Sequence, residues 1–108
     1  METKVVKPKE AKIFLEGEEI CRQYFSTEKI TFGTSYLQPG QTGAVDPGHA
    51  DSHEVFFVVK GHVLLRCGEE WYDLEEGDAQ IIPPTLPHQL SNIGECPALI
   101  SWSMAPSE

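Results

Sequence analysis

Pro47-Gly48-His49-Ala50-Asp51-Ser52-His53-Glu54-Val55-Phe56-Phe57-Val58-Val59-Lys60-Gly61 sets three metal-capable side chains, His49, His53 and Glu54, directly ahead of a run that a glycine ends. Val55–Val59 is short, β-branched and aromatic, which reads as a strand. It is apolar on both faces, with Val55, Phe57 and Val59 on one and Phe56 and Val58 on the other. One face is expected to line a barrel, the other to be covered by a second sheet or a second subunit. A further imidazole, His88, follows the rigid turn Pro83-Pro84-Thr85-Leu86-Pro87.

Outward from that strand the pattern repeats. On the amino-terminal side, Ile13-Phe14-Leu15, Glu19–Phe25 and Ile30–Leu37 read as strands, and Gln38-Pro39-Gly40 as a turn in which proline presets φ and glycine takes the positive φ. On the carboxyl-terminal side come His62–Cys67, Trp71–Leu74, Ala79–Ile82, Gln89–Ser91 and Ala98–Ser103, separated by Gly-, Pro- and Asn-rich turns. Short strands at about ten-residue spacing, with no amphipathic helical stretch, indicate an all-β sandwich or barrel. Residues 1–12 are polar and lysine-rich and are expected to form an arm or edge strand, with the barrel spanning 13–108. Val5 and Val6 are the residues that would add to an edge.

A chain of 108 residues fits one domain, typical domains being about 100–150 residues. Its 40% hydrophobic and 23% charged residues are those of a folded protein. The formal net charge of −9, with eight scattered basic residues, argues against a nucleic-acid partner. Cys21, Cys67 and Cys96 are odd in number and widely spaced, so they indicate reduced thiols and neither a disulfide framework nor a zinc knuckle. No apolar run approaches the ~18 residues of a membrane span, and the charged amino terminus lacks a signal-peptide core. A cytoplasmic protein is expected.

A metal site needs side chains from separate strands converging on one point. His49 and Glu54 would be about 16 Å apart and on opposite faces in a straight strand, so the chain must curl between them, and the turn-favouring Asp51-Ser52 sit where the curl is needed. His53 and Glu54 are adjacent and point to opposite faces of a regular strand, so one of the two is expected to be a ligand.

Together these residues resemble the cupin superfamily. Glu54, six residues and Gly61 match the end of the first cupin motif, and His49 matches its second histidine in the longer-spaced variant. Gly77, five residues, Pro83, one residue, Thr85 where glycine is usual, two residues, His88, three residues and Asn92 match the second motif. The resemblance runs from Gly40 to Asn92 and implies a small single-domain jelly-roll β-barrel. It also implies a divalent transition metal (Fe, Mn, Ni or Zn) held by histidines and a glutamate, with His49, Glu54 and His88 in ligand places. Pro47 occupies the place of the first histidine and cannot bind, which leaves a two-histidine, one-carboxylate site or one in which His53 substitutes. His53 is otherwise a general base or a residue supporting the ligands.

The function these readings imply is a metalloenzyme of dioxygenase, isomerase or lyase type acting on a polar small molecule inside the barrel. The alternative is a non-catalytic cupin that binds a sugar or carboxylate. The doubly apolar strand and the arm lead to the expectation of a homodimer. Tyr36, Gln80, Gln89 and Trp102 are candidates to line the cavity.

Overall fold

The computed structural model describes residues 2–108. After a single 3-10 turn at Pro8–Glu10, nine strands follow: β1 Lys12–Glu16, β2 Glu19–Ser26, β3 Thr31–Leu37, β4 His53–Lys60, β5 His62–Cys67, β6 Glu70–Glu75, β7 Ala79–Ile82, β8 His88–Asn92 and β9 Ala98–Ala105. They form a six-stranded sheet in the order β1-β2-β3-β9-β4-β7 and a three-stranded sheet in the order β6-β5-β8, every pairing antiparallel. The fold is a jelly-roll barrel, and no helix among the described residues is long and apolar enough to cross a membrane.

The strands stand where β-branched and aromatic residues alternate with small or polar ones, because a pleated strand sends successive side chains to opposite faces. β4 shows it plainly. Glu54, Phe56 and Val58 are buried, whereas His53, Val55, Phe57 and Val59 are exposed. The inward side chains of both sheets meet in one core of Leu37, Phe56, Val58, Val63, Leu65, Ile82, Leu90, Ile100 and Trp102. Full burial of each large aliphatic side chain stabilises the fold by about 1.5–3 kcal/mol.

The second sheet packs against the inner face of β4 and leaves the outer one bare. Val55, Phe57 and Val59 remain exposed, as does Ile81 on the neighbouring β7. Among the described residues, then, no sheet covers the outer face.

Residues 41–48 close one end of the barrel through isolated bridges. Gly17 pairs with Gly43, Thr42 with Ser91, and Asp46 with His88. The expected turn at Gln38-Pro39-Gly40 forms, with Gly40 at φ 81° and the Gln41 N–H donating to the Gln38 carbonyl at 3.1 Å. Cys21 and Cys67 are buried free thiols and Cys96 an exposed one.

Candidate metal centre

His88 opens β8, and Glu54 is the second residue of β4. Strand parity turns the Glu54 carboxylate inward, and the residue is only 6% exposed. His88 is placed by two reciprocal backbone hydrogen bonds with Asp46, at 2.8 and 2.9 Å. The same pair of bonds brings the Asp46 side chain alongside the imidazole.

His49 reaches the same point from the loop between β3 and β4. Gly48 makes this possible: it has φ 97°, and a Cβ there would meet Thr85 C at 2.8 Å and Leu86 N at 2.9 Å. Only glycine lets this loop lie against residues 85–86. The Gly48 N–H donates to Asp46 Oδ1 at 2.9 Å, which leaves Oδ2 free to face both imidazoles.

The four side chains converge closely. Glu54 Oε1 lies 3.2 Å from His49 Nε2 and 3.1 Å from His88 Nε2, and Asp46 Oδ2 lies 3.6 Å from each of the same nitrogens. One ligand atom from each of Asp46, His49, Glu54 and His88 falls within 4.8 Å of all the others. Two donors bonded at ~2.1 Å to one ion stand about 3.0–3.4 Å apart. The two Glu54 separations fall in that range and the two Asp46 separations lie just beyond it.

The chemistry of the donors agrees. His88 Nδ1 lies 3.0 Å from the Leu86 carbonyl oxygen, which can only accept, so Nδ1 carries the proton and donates. In the neutral ring, Nε2 then points a lone pair at a carboxylate oxygen. Two acceptors at 3.1 Å need a cation between them, either a metal ion or a proton on Nε2. A carbonyl that fixes the tautomer through the distal nitrogen is the usual support of a metal-binding histidine. Asp46, His49, Glu54 and His88 therefore fit a divalent transition metal.

Burial is the largest influence on the His88 imidazole and acts to lower its pKa. The Glu54 hydrogen bond, the Leu86 carbonyl and the Glu54 and Asp46 charges together outweigh it, and the net shift is upward.

These groups face a cavity of about 160 Å³ whose apolar walls include Phe14, Phe56, Leu90, Trp102 and Met104. Glu16, Glu19 and Cys21, from the β1–β2 hairpin, contribute a second polar group to the lining. Glu19 is 5% exposed. Its Oε2 accepts from the Ser35 hydroxyl and, at 3.4 Å, from the Cys21 thiol, while the Trp102 indole N–H donates to Ser35 Oγ at 3.0 Å. Burial raises the Glu19 pKa more than these hydrogen bonds lower it. Burial, with repulsion from Glu19, Asp46 and Glu54, also lifts Glu16 to about 7. The lining contains four carboxylates and no lysine or arginine.

Of the residues singled out in the sequence, the structure brings together His49, Glu54 and His88. It places His53 elsewhere, exposed at the start of β4 and paired across the ladder with Ala105. Pro47 is exposed. Trp102 lines the cavity, but Tyr36, Gln80 and Gln89 do not. Gln80 donates to Cys67 Sγ at 3.4 Å, and Gln89 donates to the Gly43 carbonyl at 2.9 Å. The sequence reading missed Asp46, Glu16 and Glu19. Asp46 sits one residue before Pro47, and its adjacency to the vacated histidine place was the signal available.

Fold and site together define a small jelly-roll barrel with two imidazoles and two carboxylates converging at one end of its cavity. The chain belongs to the cupin family, whose domain matches residues 33–104. An uncharacterized protein of Methanocaldococcus jannaschii is 35% identical over 52 residues, 48% of this chain and 42% of that protein, so the match takes in less than half of either. Among solved structures, a Thermus thermophilus protein is 28% identical with a TM-score of 0.78, over 96% of this chain and 98% of that one. A predicted oxalate decarboxylase of Thermotoga maritima has a TM-score of 0.81 over 96% of this chain and 100% of its own, but at 17% identity the likeness is one of fold alone.

Proposed function

We propose that this cupin is a metal-dependent enzyme acting on a polar small molecule held in the barrel, by dioxygenase, isomerase or lyase chemistry. One observation carries the reading: Glu54 Oε1 lies within 3.2 Å of both His49 Nε2 and His88 Nε2. Asp46, His49, Glu54 and His88 would hold a divalent Fe, Mn, Ni or Zn ion. Such an ion supplies Lewis acidity, or O2 activation when it is iron.

The chain's own residues do the rest. The Leu86 carbonyl holds the His88 ring, and Gly48 holds the loop that carries His49. Phe14, Phe56, Leu90 and Met104 give the cavity beside the donor cluster apolar walls. Burial pushes the Glu19 carboxyl pKa upward, and the side chain lines the cavity, where it can exchange a hydrogen bond with a ligand. With no lysine or arginine in the lining, a carboxylate ligand would depend on the metal for its countercharge, whereas a hydroxylated ligand would find acceptors at Glu16 and Glu19.

Metal content by mass spectrometry on untagged protein tests the assignment. About one ion per chain is expected in the wild type, retained in His53→Ala and lost in His88→Ala and Glu54→Ala. A wild type that stays metal-free after incubation with each candidate ion sinks the enzyme reading in favour of the non-catalytic one.

A further inference from the structure

The loop that delivers His49 is held from outside the barrel by a residue far away in sequence. Beyond β9 the chain turns back over residues 50–52, and the side-chain carboxylate of Glu108 accepts three consecutive backbone N–H groups: Ala50 to Oε1 at 3.0 Å, Asp51 to Oε2 at 2.7 Å and Ser52 to Oε2 at 2.8 Å. Successive amides converging on one anion form a nest, a strong anion-binding arrangement. Here the anion belongs to the chain itself. Those amides, the Asp51 bond foremost, hold the Glu108 carboxyl down at about 2.

The surrounding contacts make this segment a strap. The Ser52 hydroxyl donates to the Pro106 carbonyl, and the Ser107 and Thr31 hydroxyls are hydrogen-bonded at 2.7 Å. The pair His53–Ala105 at the end of the β4–β9 ladder sets where the strap begins. From the turn before β8, the Thr85 N–H donates to the His49 carbonyl at 2.7 Å. The backbone around His49 is thus gripped at two places, by Thr85 at the His49 carbonyl and by Glu108 at residues 50–52. His49 is the one imidazole of the cluster borne by a loop; His88 stands on a strand.

We propose that Glu108 is a positioning residue for the metal centre, its carboxylate fixing the backbone of residues 50–52 so that His49 Nε2 stays at bonding distance from the ion. The proposal rests on the metal reading above. Groups hydrogen-bonded directly to a metal ligand typically contribute about 10–100-fold to metal affinity, and Glu108, acting through the backbone beside His49, is set at the low end of that range.

The test is a double-mutant cycle on the full chain. The Kd for Zn(II) or Ni(II) is measured by competition with a chelating dye for wild type, Glu108→Ala, His49→Ala and the double variant, with amide hydrogen exchange of residues 50–52 measured on the metal-free proteins. Glu108→Ala is expected to weaken binding about tenfold and to unprotect the three amides, and to add nothing once His49 is gone. Glu108→Gln, which keeps one carbonyl acceptor, should recover part of the affinity. An unchanged Kd in Glu108→Ala overturns the proposal, and so does an equal loss in the His49→Ala background, since a general loosening of the fold would act in both. A wild type that binds neither ion overturns the metal reading and this role with it. Amides protected only when Glu108 is present would then leave the strap as a purely structural element.

Discussion

The backbone N–H of Thr85 donates to the carbonyl of His49 at 2.7 Å, and Thr85 makes this bond with φ at 71°. Thr85 is the one described non-glycine residue at positive φ. A β-branched side chain in the left-handed region costs about 1–3 kcal/mol. The bond compensates by anchoring the loop of one ligand to the turn that precedes the other. Thr85→Gly removes the strain and keeps the N–H. After the ~0.5–1 kcal/mol that glycine's greater unfolded-state freedom subtracts, a net gain of about 1 kcal/mol in urea unfolding is expected, with metal affinity unchanged. A loss of stability would show that the threonine side chain contributes more than its backbone costs.

Gly33 lies across the β3–β9 ladder from Trp102. A Cβ at Gly33 would meet the Arg22 carbonyl oxygen at 2.3 Å and the Trp102 ring at 2.4 Å. The carbonyl is fixed in the sheet and the indole in the core, so neither moves cheaply. Gly33→Ala should cost about 3 kcal/mol. In a Trp71→Phe background, where Trp102 is the sole tryptophan, it should also shift the emission to the red. An unshifted spectrum with full stability would mean that the ring does not lie over Gly33.

The strands were legible from their β-branched and aromatic residues and the Gly-, Pro- and Asn-rich turns that bound them, and Val55–Val59, Ala79–Ile82 and His62–Cys67 stand within a residue or two of the strands the chain forms. Strand parity left two options at His53 and Glu54, since a sequence does not say which face is inside. Closure of the barrel supplies that. Asp46 was not legible because its place depends on a bridge to His88, 42 residues away, a pairing that no local spacing encodes. Glu16 and Glu19 read as ordinary polar residues flanking a tight turn. Their position in the cavity lining follows from the β1–β2 hairpin meeting residues 42–44 through the Gly17–Gly43 bridge and its neighbouring hydrogen bonds.

The His88 tautomer has a consequence for metal-free protein. The imidazole pKa stands above its ordinary 6.5, although burial, the largest influence, acts to lower it. A raised folded value contributes stability that is fully present below the unfolded pKa and is lost as pH rises through the folded one. In a chelator-treated NMR titration, the ring proton of His88 should therefore have a midpoint above 6.5. Glu54→Gln removes the charge that opposes burial and should bring that midpoint down, below 6.5 if Glu54 is the main support. A wild-type midpoint below the ordinary value would mean that the pairing with Glu54 does not persist in solution.

Glu16 gives the same sign, in the window set by a carboxyl. Its carboxyl is raised from 4.5 to about 7, first by burial and then by repulsion from Glu19, Asp46 and Glu54. The folded state holds the proton more tightly than the unfolded one, so this group's contribution falls as pH climbs from 4.5 and levels off above about 7. Below 4.5 both states are protonated, and glutamine is a fair replacement for the neutral acid. Urea unfolding of chelator-treated Glu16→Gln and wild type should therefore agree at about pH 4 and diverge through about pH 7, the variant becoming the more stable. A divalent ion bound by Asp46 and Glu54 adds positive charge near Glu16 and favours its ionised form. Loading with Zn(II) should accordingly shrink the difference at about pH 8. A difference that ignores pH would indicate that Glu16 is solvated in the folded protein, and one that ignores Zn(II) would place the ion too far from Glu16 for Asp46 and Glu54 to be its ligands.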